Sequence, residues 1–175
     1  GEDSEDALNQ TFLDEMAAKL ANTMTPIQVN PADYDAIFYA GGHGTMWDFP
    51  KNETLAGIAA SIYEAGGIVG AVCHGPAALV NIKLSDGSYL VDGKVVNSFT
   101  NEEEKEAGLA DEVPFLLESK LVERGAEFRK SPKFESHVET SERLVTGQNP
   151  ASAKAVATLM WALLENANRD MAVVP

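Results

Sequence analysis

Cysteine is nearly absent: Cys73 stands alone among 175 residues, which excludes an internal disulfide, a multi-cysteine zinc site and a Cys-x-x-Cys redox pair. Basic residues are scarce too. Thirteen Lys and Arg face 27 Asp and Glu, a net charge of −14, and a field of that sign repels phosphate backbones and anionic lipid. Nucleic-acid and membrane partners are therefore not expected. No apolar run approaches the roughly 20 residues that cross a bilayer, and the acidic opening GEDSEDA is the reverse of a signal peptide's basic start. A cytoplasmic location is expected. Neither a GxGxxG nor a P-loop is present, so no nucleotide cofactor is implied.

What is present fits one folded domain over residues 1–175. Apolar residues make up 45% and charged residues 23%, close to ordinary globular usage. Leu8, Phe12, Met16 and Leu20 fall at successive fourth positions, a helical stripe in a lead-in over residues 1–30. The run 35–40 reads as a buried strand closed by Gly41-Gly42. Asn52 is placed to cap a helix to about residue 65, with Leu55, Ile58, Ala59 and Ile62 on one face. Residues 68–72 are short, continuous and apolar, as suits a central parallel strand. Pro76 suits the first turn of a helix begun at Gly75. Turn signals at 85–88 and 92–93 predict a local hairpin around 89–99, with a strand over 94–99. Acids follow Thr100-Asn101 at a helix start. A helix over 113–124, short strands near 128, 137–140 and 143–146, and a closing helix over 151–166 complete the order. Strands alternating with helices predict an α/β fold with a largely parallel sheet, built on the runs near 35–40, 68–72, 95–99 and 143–146.

In open parallel sheets ligands gather beyond the carboxyl ends of the strands. Two suspicious stretches fall there, Gly41-Gly42-His43-Gly44 and Cys73-His74-Gly75. A lone cysteine is often a small buried hydrophobe. Gly75 and Pro76, however, shape a turn that a plain core cysteine does not need, and a helix amino end favours the thiolate. The context favours a nucleophile with its pKa lowered and a base, His74, beside it. His43 reads equally as a residue held by local hydrogen bonds or as a substrate contact. His137 reads as a strand or surface residue.

Four ordered stretches carry a resemblance: YDAIFYAGGHGTMWDFP at 34–50, AVCHGPAAL at 71–79, SFTNEEE at 98–104 and LVTGQNPAS at 144–152. Together they resemble the ThiJ/PfpI family, related to class I glutamine amidotransferase domains, and within it the heat-shock-type branch with glutathione-independent glyoxalase (glyoxalase III) activity. The resemblance implies a flavodoxin-like three-layer sandwich with a mostly parallel central sheet. It implies that Cys73 is the nucleophile, His74 the catalytic histidine and Glu104 the acid that orients it. Glu102 and Glu103 are then expected to be solvated helix-start charges. It further implies that Gly41, Gly42, His43 and Gly44 line a substrate and oxyanion pocket, with no metal and no cofactor. The family begins with a β-strand followed by a pocket glutamate. Nothing in residues 1–16 reads as that strand, and Glu2, Glu5 and Glu15 are not candidates for the role. An upstream segment of the same protein, roughly 50 residues for a strand, helix and strand, is therefore an expected partner, as is a second copy in a homodimer.

The implied activity is conversion of small reactive dicarbonyls such as methylglyoxal to 2-hydroxy acids. Two other readings stand beside it. One is a holdase chaperone for unfolded clients or a redox stress protein. The other is a cysteine hydrolase or amidotransferase-like enzyme using the same turn for acyl transfer.

Overall fold

The computed structural model describes residues 6–172. Its centre is β2 (Ile68–Val72), every residue of which is buried. Two apolar faces on one strand require cover on both sides, and the alternation of side chains divides them. Val69 and Ala71 enter a core with Ala59, Tyr63 and Leu144, while Ile68 and Val72 enter a second with Val145, Val156 and Met160. The first core is covered by α3 (Glu53–Glu64), the second by α6 (Ala153–Ala172).

On one side β2 pairs in parallel with β1 (Ala36–Tyr39), Ala36 opposite Ile68; on the other it pairs in parallel with β6 (Leu144–Gly147), Val69 opposite Leu144. A hairpin through Glu142, in the left-handed region at φ 56°, brings β5 (Val138–Ser141) antiparallel onto β6. The order is β1-β2-β6-β5, an α/β sandwich with a mostly parallel sheet, as expected.

Several expectations need correction. The segment 95–99 is not a strand of this sheet. Only β3 (Val95–Val96) forms there, and it pairs in parallel with β4 (Glu127–Phe128) in a separate two-stranded sheet. The expected hairpin at 89–99 does not form; among the described residues an isolated antiparallel bridge joins Lys83 to Tyr89 instead. The turn after Cys73 continues as a 3-10 helix, Gly75–Asn81, and the closing α-helix begins after a separate 3-10 turn at Pro150–Ser152. The helix read over 113–124 is shorter, α5 (Leu117–Glu123).

Asn52 caps α3 by accepting from Leu55 N–H, with Ile58, Ala59 and Ile62 buried as the spacing requires and Leu55 half-buried. The lead-in α1 (Ala7–Leu20) forms where predicted but buries none of its residues. Glu15 is exposed on it, and Glu2 and Glu5 lie outside the described residues. Among the described residues β1, first in the order, pairs on one side only, and Phe38 on it is 44% exposed beside Trp161 of α6 at 64%. Among the described residues no helix is long and apolar enough to cross a membrane.

Candidate active site

Cys73, the residue after β2, takes a conformation that L residues avoid, φ 61°, and such strain persists only where the surroundings impose it. Here both backbone groups are fixed. Cys73 N–H donates to Gly147 O at 2.8 Å, and its carbonyl accepts from Phe99 N–H at 2.8 Å. The chain then has to turn tightly against β1, and a Cβ on Gly75 would run into the Tyr39 carbonyl. Gly41 is equally constrained, since a Cβ there would sit 2.8 Å from Cys73 Cβ and 3.3 Å from Sγ. The two glycines let the loops after β1 and β2 touch.

That contact sets the surroundings of the thiol. Backbone N–H groups of Gly42 and His74 approach Sγ, yet Cys73 is only 8% exposed. Burial outweighs the two donors and pushes the thiol up to about 11, with Glu103 and Glu104 adding to the rise. This reverses the expected thiolate. The turn behind Cys73 has seven residues of 3-10 helix, too short for an α-helical dipole to oppose desolvation. Cys73 rests as a thiol.

His74 lies beside it. Its Nδ1 lies 3.4 Å from Sγ and its Nε2 lies 2.7 Å from Glu104 Oε2. A carboxylate only accepts, so Nε2 carries the proton and Nδ1 presents a lone pair to the thiol. His74 is wholly buried, and burial holds its pKa below the ordinary 6.5, against the pull of the Glu104 hydrogen bond. Neutral imidazole beside neutral thiol is the resting pair. The Phe99 ring, 4.4 Å from the imidazole between centroids, fixes its plane.

Glu104 comes from α4 (Asn101–Glu106) and is buried. Its second oxygen, Oε1, accepts from His43 Nε2 at 2.8 Å, and the two imidazole rings lie 4.0 Å apart. One carboxylate thus holds two histidines. His43 is held by this hydrogen bond, and at 36% exposure it forms the solvent side of the cluster. Gly42, at φ 107°, aims its N–H at Sγ, whereas Gly44 opens the short helix α2 (Thr45–Asp48) by accepting from Trp47 N–H. Thr45 Oγ1 ties the two loops, 2.8 Å from Gly42 O and 3.0 Å from His74 O. His137 bonds Glu139 at 2.9 Å, away from this cluster.

Glu103 corrects the expectation of a solvated charge. It is fully buried. Its Oε2 accepts from Thr100 N–H and Oγ1–H at 2.8 and 2.9 Å, and its Oε1 accepts from Phe134 N–H, Gln148 Nε2 and Asn149 Nδ2. Burial pushes its carboxyl up, but those hydrogen bonds prevail and hold it below the ordinary value. Glu103 fastens three segments around the site, among them the strained Phe134 (φ 62°), whose ring lies 6.2 Å from Phe99. The signal was legible: Thr100-x-x-Glu103 is a capping box. Glu102, by contrast, is exposed and reaches Lys130 at 3.4 Å.

A cavity of about 600 Å³ beside Trp47 and Asn52 and another of about 410 Å³ below Tyr34 and Ile68 do not touch Cys73. Size alone misleads here, because the titratable groups converge elsewhere.

The pattern of the DJ-1/PfpI family matches residues 9–163. A probable glutathione-independent glyoxalase of Schizosaccharomyces pombe is 45% identical over 144 residues, covering 78% of this chain and 55% of that protein. Among solved structures, a 24 kDa rapid encystment protein of Francisella tularensis superposes with a TM-score of 0.88 at 42% identity, over 91% of this chain and 72% of that one. Glyoxalase III of Candida albicans gives 0.87 at 30% identity, over 93% and 72%. The chain spans 55% and 64% of the lengths of two fission-yeast relatives that it matches.

Proposed function

The chain belongs to the DJ-1/PfpI family, and from that premise we propose that it isomerises and hydrates small dicarbonyls such as methylglyoxal to 2-hydroxy acids, without glutathione. The observation that carries this reading is the line Cys73 Sγ, His74 Nδ1, His74 Nε2, Glu104 Oε2, with separations of 3.4 and 2.7 Å at its two hydrogen bonds. The names of the relatives point the same way.

Nδ1 takes the thiol proton as Sγ bonds to the aldehyde carbon, and returns it to the former carbonyl oxygen to give a hemithioacetal. Nδ1 then removes the hydrogen left on that carbon. The electron pair moves through an enediolate to the neighbouring ketone carbon, which His74 reprotonates, leaving a thioester. Water cleaves it to lactate and the free thiol. One carbon is oxidised and its neighbour reduced, so the sum is redox-neutral and needs no external electron carrier. Glu104 holds the imidazolium formed twice in this sequence, and the Gly42 and His74 N–H groups lie where an oxygen on the carbon bonded to Sγ can be met. Gly41 and Gly44 shape the loop, and His43 faces incoming substrate.

A cytoplasmic setting suits an unpaired catalytic thiol, which reducing conditions preserve. Two partners complete the reading, a second copy of the chain and an upstream segment adding a strand to β1; the open edge of β1, with Phe38 and Trp161 bare beside it, supports the latter. The apolar surface of α1, where Leu8 is 80% exposed, supports a second role in holding unfolded clients. The reading is tested by incubating purified protein with methylglyoxal, glutamine or an aminopeptidase substrate, beside Cys73→Ala. Lactate formed without glutathione and lost in the variant supports it; turnover of glutamine or peptide alone rejects it.

A further inference from the structure

Glu104 does more than orient His74, because its two oxygens are shared between two imidazoles. One ring nitrogen each of His43 and His74 and a Glu104 oxygen lie within 4.8 Å of one another. Two imidazoles and one carboxylate are a donor set that zinc accepts at an open, three-ligand site. Among the described residues, the ion pairs at this cluster join only histidines to Glu104, so no cationic side chain opposes a cation there. Buried Glu103 next in sequence adds negative charge. His43 leaves one side open to solvent, while His74 and Glu104 are buried and fixed by Phe99 and by the α4 backbone.

We propose that His43, His74 and Glu104 form an inhibitory binding site for Zn2+, separate from any catalytic use of a metal. Zinc would sit where the two Nε2–H···O hydrogen bonds now run. Across a tetrahedral centre with bonds of about 2.0–2.1 Å, neighbouring ligand atoms stand about 3.3–3.4 Å apart. With one Glu104 oxygen as ligand, one of the present contacts, 2.8 Å to Oε1 or 2.7 Å to Oε2, becomes a ligand–ligand edge and opens by roughly half an ångström, and the other imidazole turns onto the same metal. The His43 side has room for this, since that ring is part-exposed. The balance is simple: each imidazole keeps one proton, moved from Nε2 to Nδ1, and zinc exchanges water ligands for two nitrogens and one oxygen. The consequence falls on Cys73. Once His74 Nδ1 carries the proton it no longer accepts one from Sγ, and the base is lost while the metal stays.

Because zinc binding needs no substrate, its outcome is independent of the proposed activity. Metal-free protein is titrated with Zn2+ by calorimetry, with Mg2+ as a hard-ion control. The expected result is one Zn2+ per chain, no Mg2+ binding, and a melting temperature raised by Zn2+. Affinity should be kept in Cys73→Ser and reduced more than about tenfold in both His43→Ala and His43→Gln, given that even outer-shell partners of a metal site are worth 10–100-fold. Near-ultraviolet circular dichroism confirms that the variants fold. Absence of Zn2+ binding overturns the proposal, and so does binding that survives both His43 variants but fails in Cys73→Ser, which would place the metal on the thiol.

Discussion

Replacing Glu103 by Gln changes one oxygen for one NH2 group in a site where both oxygens only accept. If the amide oxygen faces Phe134, Gln148 and Asn149, the NH2 group meets the N–H of Thr100, donor against donor. A buried donor left unmet costs about 1–3 kcal/mol, and the remaining bonds lose the charge assistance that roughly doubles their strength. Together these amount to about 3–5 kcal/mol, or a melting temperature lower by roughly 6–20 °C for a chain of this size. The pH dependence adds a sign. The Glu103 carboxyl is held below its ordinary value, so its contribution is present above the unfolded-state pKa and is lost as pH falls through the lower folded value. Thermal melts of wild type and Glu103→Gln, followed by circular dichroism from neutral pH downward, should be well separated at pH 7 and converge in acid. Glu102→Gln, at an exposed site, serves as the control and should melt with wild type. Equal melting temperatures for Glu103→Gln and wild type at pH 7 would refute the claim that this carboxylate fastens the site.

Burial holds the Cys73 thiol up at about 11, so iodoacetamide should alkylate it slowly at neutral pH and faster through the alkaline range; a plateau already reached by pH 7 would contradict the buried-thiol description. His74→Ala should lower kcat by about 10²–10⁴ with little change in KM, as loss of a proton carrier does, and Glu104→Gln should cost less because it keeps the shape. The acid limb of kcat/KM should fall below the ordinary histidine value of 6.5, since burial depresses His74 and the base form persists as pH drops; a limb above 7 would count against His74 as the base. Denaturing mass spectrometry of native material should reveal a longer chain or a bound upstream peptide covering β1; a homogeneous 18.7 kDa species that is folded and active alone would count against that partner.

The legible parts of the fold were those governed by local pattern. β1 and β2 follow from continuous apolar runs, β6 from a short strand-forming stretch, and α3 from Asn52 and its spaced aliphatics. The segment after Val96 was misread because strand-forming residues do not say which neighbour they pair with. Lys94 and Val96 give their carbonyls to Glu127 and Arg129, about thirty residues on, a partnership no local period records. The hydrogen-bonded line was readable in Cys73-His74-Gly75-Pro76 because the turn itself constrains the residue types, and Glu104 was reached by resemblance. The charge state of Cys73 was not readable, since it turns on burial by Phe99, Gly41 and the acids of α4, which come from distant segments. Glu103 was missed although Thr100-x-x-Glu103 marks it as a capping-box acid; the box tells which acid reaches back to the helix start, and only the packing tells that Glu103 and Glu104 are buried while Glu102 is exposed.

The covalent step proposed at Cys73 gives the most direct test. Protein mixed with methylglyoxal in the absence of glutathione is quenched in acid at times within one expected turnover, and the peptide carrying Cys73 is weighed. A thioester intermediate retains every atom of the substrate, so wild type should show the mass gain of one methylglyoxal on Cys73, removable by hydroxylamine and decaying as lactate appears, while Cys73→Ser should show neither adduct nor lactate. Lactate formed at the wild-type rate by Cys73→Ser would contradict the account.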